Sequence, residues 1–130
     1  MNRIDTLIAY LFSIQAFAKD IHYSAKGEAF YSKHLLADEI YKGIDEHIDL
    51  LIETCILPFD ETYRIFNFWE AAIIKIRNKE ISFGALRELI VETLEYIDKT
   101  NGSSQGEQAL IDNIAQDLQH KLGLITRQVG

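Results

Sequence analysis

The sequence has few of the residues that build disulfide frameworks, loop-rich sheets and membrane spans. Its single cysteine, Cys55, cannot form an intrachain disulfide or a thiolate metal cluster, which favours a reducing setting. A single proline, Pro58, suits a mostly helical chain. No uncharged apolar stretch reaches the roughly 18 residues of a membrane span, and no signal-peptide pattern is present. We therefore expect a cytoplasmic protein without membrane contacts.

Positive charge is also scarce. The chain has 13 Lys and Arg residues against 20 Asp and Glu residues, for a net charge of −7. This balance opposes non-specific binding to DNA phosphates, and only Arg3 adds a cation before the first predicted helix. We therefore expect no DNA binding. With 130 residues, 48% hydrophobic and 25% charged, the composition indicates one globular domain over residues 1–130.

Apolar residues spaced three and four apart predict four helices, whose apolar seams cover residues 4–25, 30–55, 83–97 and 111–125. Gly27 predicts a turn between the first two helices, and the Asn-Gly-Ser-Ser run at 101–104 predicts a link between the last two. The connection 57–80 is too apolar for a solvated loop, so part of it should be helical and buried against the bundle or a partner chain. Two short links and one long crossover predict an all-α, ferritin-like four-helix bundle, with a short helix in the crossover between helices 2 and 3.

Candidate ligands concentrate on the second predicted helix. The sequence contains no glycine-rich phosphate loop, no GxSxG elbow, no HExxH and no Glu-x-x-His. His34 and Asp38 are four residues apart, as are Asp49 and Glu53, and all four lie on a stripe about 100° wide. His22, on the other side of the Gly27 turn, should come level with His34. Imidazoles with several carboxylates suit iron.

Taken singly, each of these side chains is more often a surface or core residue than a ligand. His47 points about 220° away from His34, and His120 belongs to no pattern of partners, so we assign both to structural roles. Asp45 and Glu46 are predicted to lie on a solvated face. Cys55 is interpreted as a small hydrophobic core residue.

The spacing of the five candidate ligands resembles that of the Dps-type miniferritins, dodecameric ferritin-like proteins of bacteria. That family carries a His, then a His twelve residues later, an Asp four later, an Asp eleven later and a Glu four later. This sequence reproduces each interval with His22, His34, Asp38, Asp49 and Glu53. Phe30 and Tyr41 match the family as well, whereas the family's usual Trp after the first His is Tyr23 and its usual Arg after the Glu is Thr54.

The resemblance implies that these five residues are the metal-binding and catalytic residues of a ferroxidase. Members of the family oxidise Fe(II) with hydrogen peroxide or dioxygen, store the ferric product inside a hollow shell and protect against oxidative damage. The resemblance therefore implies a homo-oligomer, a dodecamer built from twofold dimers, with iron bound.

Helix geometry predicts that each iron site is shared between two chains. The midpoints of His34/Asp38 and Asp49/Glu53 are about fifteen residues apart, or roughly 22 Å on a straight helix. Two copies of the helix, packed antiparallel about a twofold axis, can combine His22, His34 and Asp38 of one chain with Asp49 and Glu53 of the other. We expect the axis to cross near Gly43, where the missing side chain would permit close backbone approach.

Two other functions remain open at this point. The first is a structural or interaction protein, a helical oligomer that keeps the fold with a repurposed metal site, and the replacement of the family's Arg by Thr54 favours it. The second is a small di-metal oxidase acting on an organic substrate, which would need a pocket.

Overall fold

The computed structural model describes residues 2–60 and 62–129, without the side chains of Asn67 and Val129, and every regular element in them is helical. The elements are α1 (Arg3–Ser24), α2 (Phe30–Leu51), a π-helical turn (Ile52–Ile56), α3 (Phe66–Ile76), α4 (Phe83–Asp98) and α5 (Gln105–Val129). This confirms the all-α prediction. The four predicted seams correspond to α1, α2, α4 and α5, and the short helix expected in the long connection is α3.

The four long helices enclose one hydrophobic core, and neighbouring helices run antiparallel. Along each contacting pair, residue numbers rise in one helix as they fall in the other. The contacts are His22 with His34 and Gln15 with Asp45 (α1–α2), Gly43 with Lys121 and His47 with Asp117 (α2–α5), Arg3 with Tyr96 (α1–α4), and Arg87 with Thr126 (α4–α5). In addition, Ile21 near the end of α1 lines the same pocket as Phe83 at the start of α4. It follows that α2 and α4 run in the same direction and that residues 52–82 connect their opposite ends.

Helix α3, within this connection, packs against α1. The Phe68 ring is fully buried and stacks on Phe12 with ring centroids 4.8 Å apart, and Trp69 meets Phe12 edge-on at 6.2 Å. The opposite side of the connection remains apolar and open, with Phe66 71% exposed and Ile74 54% exposed. None of the described helices is both long and apolar enough to cross a bilayer.

The turn between α1 and α2 depends on two left-handed residues. Gly27 has φ +78°, and Ala29, the residue before α2, has φ +59°. The turn predicted at Gly27 is therefore confirmed. It reverses the chain within five residues, which places the end of α1 beside the start of α2.

The end of the second helix differs from the prediction of a regular seam through Cys55. α-Helical geometry ends at Leu51, and the next turn widens so that the Leu57 amide donates to the Ile52 carbonyl at 2.9 Å. Pro58 explains the change, since proline lacks an N–H and its ring clashes with the carbonyl four residues earlier. Cys55 is half-buried in this wider turn and packs against the core, as expected.

Candidate metal centre

The turn brings His22, near the end of α1, against His34, on the first turns of α2. Their rings stack with centroids 3.7 Å apart and planes 26° apart. The similar heights predicted for the two imidazoles are therefore observed. Both side chains are half-buried, so each ring keeps an edge toward solvent.

Each histidine is oriented by the backbone of the other. Nδ1 of His22 lies 3.2 Å from the carbonyl oxygen of His34, and Nδ1 of His34 lies 3.2 Å from the carbonyl oxygen of His22. A carbonyl oxygen only accepts hydrogen bonds, so each Nδ1 carries the proton and donates. In the neutral form of either ring the lone pair is then on Nε2, and neither Nε2 has a hydrogen-bond partner among the described residues. This arrangement is typical of histidines that bind metals through Nε2.

Asp38 lies one turn after His34, but its carboxylate already has a cationic partner. Lys42 Nζ lies 2.8 Å from Asp38 Oδ2. The hydrogen bond from Lys42 holds the pKa of the Asp38 carboxyl below its usual value, and His22 and Lys19 act in the same direction. The same contact raises the pKa of Lys42. Asp38 is therefore an anion paired with an exposed cation.

Asp49 and Glu53 lie at the other end of α2 and are exposed. Asp49 is in the last turn of the helix, and Glu53 is in the π-helical turn. Because α2 is helical from Phe30 to Leu51, the two pairs of ligands are separated by roughly 22 Å along its axis. Within the described residues, no three His, Cys, Asp or Glu side chains are close enough to hold a metal ion. The structure therefore brings His22 and His34 together but does not gather Asp38 with them into a group that could hold a metal. We call His22/His34/Asp38 the histidine half-site and Asp49/Glu53 the acidic half-site of the candidate centre.

The two half-sites face the same direction, although they are far apart. At about 100° per residue, the eleven residues from Asp38 to Asp49 make three turns plus about 20°. Both carboxylates therefore lie on one face of α2, on which Tyr31 is 69% exposed and Leu35 is 48% exposed. This face is open to a second molecule.

No family model, no curated protein and no solved structure matches the chain. The residues and geometry of the two half-sites are therefore the basis for a functional assignment.

A second polar cluster, which the sequence did not predict, lies between α2 and α5. Asp117 Oδ2 is 2.6 Å from His47 Nε2 and 2.6 Å from Lys121 Nζ. Burial tends to raise the pKa of Asp117, but the hydrogen bonds from Lys121 and His47 together hold it below its usual value. His47 is thus engaged within the chain, in line with its structural assignment, and His120 is exposed.

This cluster also corrects the role expected for Gly43. A Cβ at Gly43 would lie 2.7 Å from Lys121 Nζ, so the space left by the missing side chain is filled by a lysine of the same chain. Gly43 is five residues from Asp38, which puts it about 140° around the helix from the exposed face. It therefore faces α5 and cannot admit a second copy of α2. The i,i+4 spacing of Asp117 and Lys121 is visible in the sequence, but the face of α5 that meets α2 is not.

Proposed function

We propose that this protein is a Dps-like ferroxidase subunit that binds and oxidises Fe(II) and stores the ferric product. The observation that carries the proposal is the orientation of the two histidines. Reciprocal bonds from Nδ1 to the backbone leave Nε2 of both rings without a partner, and Asp38 follows His34 by one turn of α2. Neutral imidazole nitrogen and carboxylate oxygen are ligands that suit iron.

The order and direction of the helices support the ferritin-like form of the bundle. That form has two antiparallel pairs joined by one long crossover. Here α1/α2 and α4/α5 are the pairs, and residues 52–82 join α2 to a helix that runs in the same direction. Helix α3 then belongs to the crossover.

A complete site needs the acidic half-site of a second chain. If two α2 helices pack antiparallel through their exposed faces, His22, His34 and Asp38 of one chain meet Asp49 and Glu53 of the other. The axis passes level with the middle of α2 but on the side opposite Gly43. Each dimer then contains two equivalent sites, and a dodecamer contains twelve.

The stacked imidazoles favour two iron ions over one. Metal–imidazole bonds are about 2 Å long and lie in the ring plane. With the rings 3.7 Å apart and only 26° from parallel, both lone pairs cannot reach one ion without a ring turning. Two Fe(II) substrates, one at each imidazole, provide the two electrons that reduce hydrogen peroxide and two protons to two waters. The carboxylates stabilise the two Fe(III) products by charge.

A mixing experiment tests the shared site. His34→Ala and Glu53→Ala homodimers should each lose both sites. A heterodimer of the two variants puts both defects in one site and leaves the other intact. After refolding together in equal amounts, the chains should therefore regain about a quarter of the wild-type sites, since half of the dimers are mixed. Ferric absorbance after anaerobic Fe(II) loading and addition of hydrogen peroxide measures the recovery.

The matched control mixes His120→Ala with Glu46→Ala, two exposed residues outside both half-sites, and should keep full activity before and after mixing. If no activity returns although mass spectrometry shows mixed dimers, the shared-site model is wrong.

The alternative function is a structural or interaction oligomer with a repurposed metal site. The ion pair between Lys42 and Asp38 favours this alternative, because the carboxylate already has a cationic partner in the same chain. Anaerobic Fe(II) titration separates the two, because the alternative requires that the wild-type protein and His34→Ala bind the same amount of Fe(II).

A further inference from the structure

We propose that Lys42 competes with metal for Asp38 and thereby sets the affinity of the histidine half-site, an inference that rests on the proposed function. The Lys42 ammonium lies 2.8 Å from Asp38 Oδ2, one turn further along the same face of α2. A metal ion that binds this carboxylate meets an oxygen already hydrogen-bonded to a cation. Binding is therefore an exchange of cations at Asp38.

The exposure of Lys42 permits this exchange. Its side chain is 72% exposed, whereas that of Asp38 is 25% exposed, so the lysine can turn into solvent while the carboxylate stays at the site. Exposed ion pairs of this kind are weak, and a divalent cation competes well against a single ammonium. Lys42 therefore balances the charge of Asp38 in the empty site and yields to metal without any movement of the backbone.

The other nearby lysine cannot replace Lys42 in this role. Lys19 Nζ lies 4.3 Å from the centre of the Tyr41 ring and 5.3 Å from that of Tyr23, so two aromatic rings hold it. In the described part of the chain, Lys42 is the one lysine in an ion pair with Asp38. A substitution at Lys42 should therefore release the carboxylate.

Lys33 provides a matched control for the loss of charge. It is on the same helix and five residues before Asp38, but it lies about 140° from Asp38 around the axis. A general effect of removing one positive charge should appear equally in Lys33→Gln and Lys42→Gln. An effect of the ion pair should appear only in Lys42→Gln.

The experiment is a calorimetric titration of the full-length protein with Co(II), a divalent ion used in place of Fe(II) so that binding is measured without oxidation. We expect Lys42→Gln to bind Co(II) about two- to fivefold more tightly than wild type, which is the range for an exposed ion pair. Lys42→Arg, which keeps the cation, should return to the wild-type affinity, and Lys33→Gln should match wild type. Light scattering on the same samples should show one molar mass throughout.

Four other outcomes would overturn the proposed competition between Lys42 and metal. Equal affinity for wild type and Lys42→Gln overturns the competition but leaves the proposed function intact. The same gain in Lys33→Gln, or a gain accompanied by a larger molar mass, assigns the effect to general charge or to assembly and also overturns it. If none of the variants nor the wild type binds Co(II), the proposed function fails and the competition fails with it.

Discussion

At the scale of the residue, the half-buried Asp117 carboxylate links two helices. It accepts hydrogen bonds from Lys121, which is only 7% exposed, and from His47 on the neighbouring helix. Loss of its charge would leave a nearly buried ammonium without its anion. Asp117 therefore contributes to the attachment of α5 to α2.

We expect Asp117→Asn to lower the free energy of unfolding by about 1–2 kcal/mol at pH 7. This is the range for a hydrogen bond to a charged group, reduced because Asp117 is partly exposed to solvent. Urea unfolding followed by circular dichroism measures the loss. Asp112→Asn, an exposed carboxylate on the same helix, is the control and should change stability by less than about 0.5 kcal/mol.

The Asp117 contribution should depend on pH in a defined direction. The pKa of Asp117 in the folded chain lies below its ordinary value of 3.8, so the folded state favours the ionised form. The stabilisation is therefore complete above the unfolded pKa and disappears as the pH falls through the lower folded pKa. The stability difference between wild type and Asp117→Asn measured at pH 5 should shrink as the pH falls below about 4. A difference that persists unchanged at pH 2.5 would assign the effect to packing instead.

Sequence spacing predicted the contact between His22 and His34 better than it predicted the surroundings of the two rings. The contact between His22 and His34 follows from counting residues on either side of Gly27, because helices rise by a constant amount. The bonds from Nδ1 to the backbone depend on rotamers that no spacing encodes. The pairing of His47 with Asp117 depends on the rotation of α5 about its axis. The apolar pattern of this helix is compatible with more than one such rotation. The prediction that a twofold axis crosses near Gly43 was wrong for the same reason, because it too depends on which face of α2 meets α5.

At the scale of the element, the α1–α2 turn determines whether the two histidines meet. Gly27 and Ala29 both adopt positive φ, and only glycine does so without steric cost. A Cβ at Gly27 would contact nothing within 4 Å, so any cost of substitution there comes from the backbone alone.

We expect Gly27→Ala to destabilise the protein by about 1 kcal/mol and Ala29→Gly to stabilise it by about 0.5–1 kcal/mol. Gly123→Ala is the control, because Gly123 lies inside α5 with open space around it and should stabilise the protein by up to about 1 kcal/mol. The same substitution thus has opposite signs at two glycines. Thermal unfolding of the three variants measures the signs, and destabilisation by Ala29→Gly would contradict the assignment of strain at this turn.

The boundaries of the elements were harder to predict than their existence. The apolar seam of the last helix begins at Ile111, but α5 begins at Gln105. The sequence contained the signal, since Ser104 and Glu107 have the spacing of a capping box, and Ser104 Oγ accepts from the Glu107 amide at 3.1 Å. The π-helical turn before Pro58 had no comparable signal.

At the scale of the whole molecule, the chain exposes several large aromatic side chains. The exposed fractions are 88% for Phe59, 74% for Tyr23, 71% for Phe66 and 69% for Tyr31. A monomer of this size seldom leaves so many large aromatic side chains in water. The long connection was predicted to be partly helical and buried: α3 packs against α1 through Phe68, whereas Phe59 and Phe66 of the same connection are exposed.

We expect a closed oligomer, with twelve chains of 14.9 kDa giving about 180 kDa. Multi-angle light scattering at micromolar concentration measures the mass. Trp69 is the single tryptophan and is 45% exposed, so its emission should shift to shorter wavelength if assembly covers α3. A stable monomer of 14.9 kDa at this concentration would contradict the prediction.

Because α2 is one continuous helix, the geometry of the candidate ligands should be sensitive to insertions in α2 and insensitive to insertions after α3. One residue inserted between Asp38 and Asp49 would move the second pair of carboxylates about 1.5 Å along the axis and rotate it by about 100°, away from the exposed face. Seven inserted residues would nearly restore the rotation but would add about 10 Å. The segment 77–82 between α3 and α4 carries no such constraint, because no candidate ligand lies beyond it. Insertions in this segment should therefore leave the spacing of the candidate ligands unchanged, whereas insertions within α2 should abolish the site.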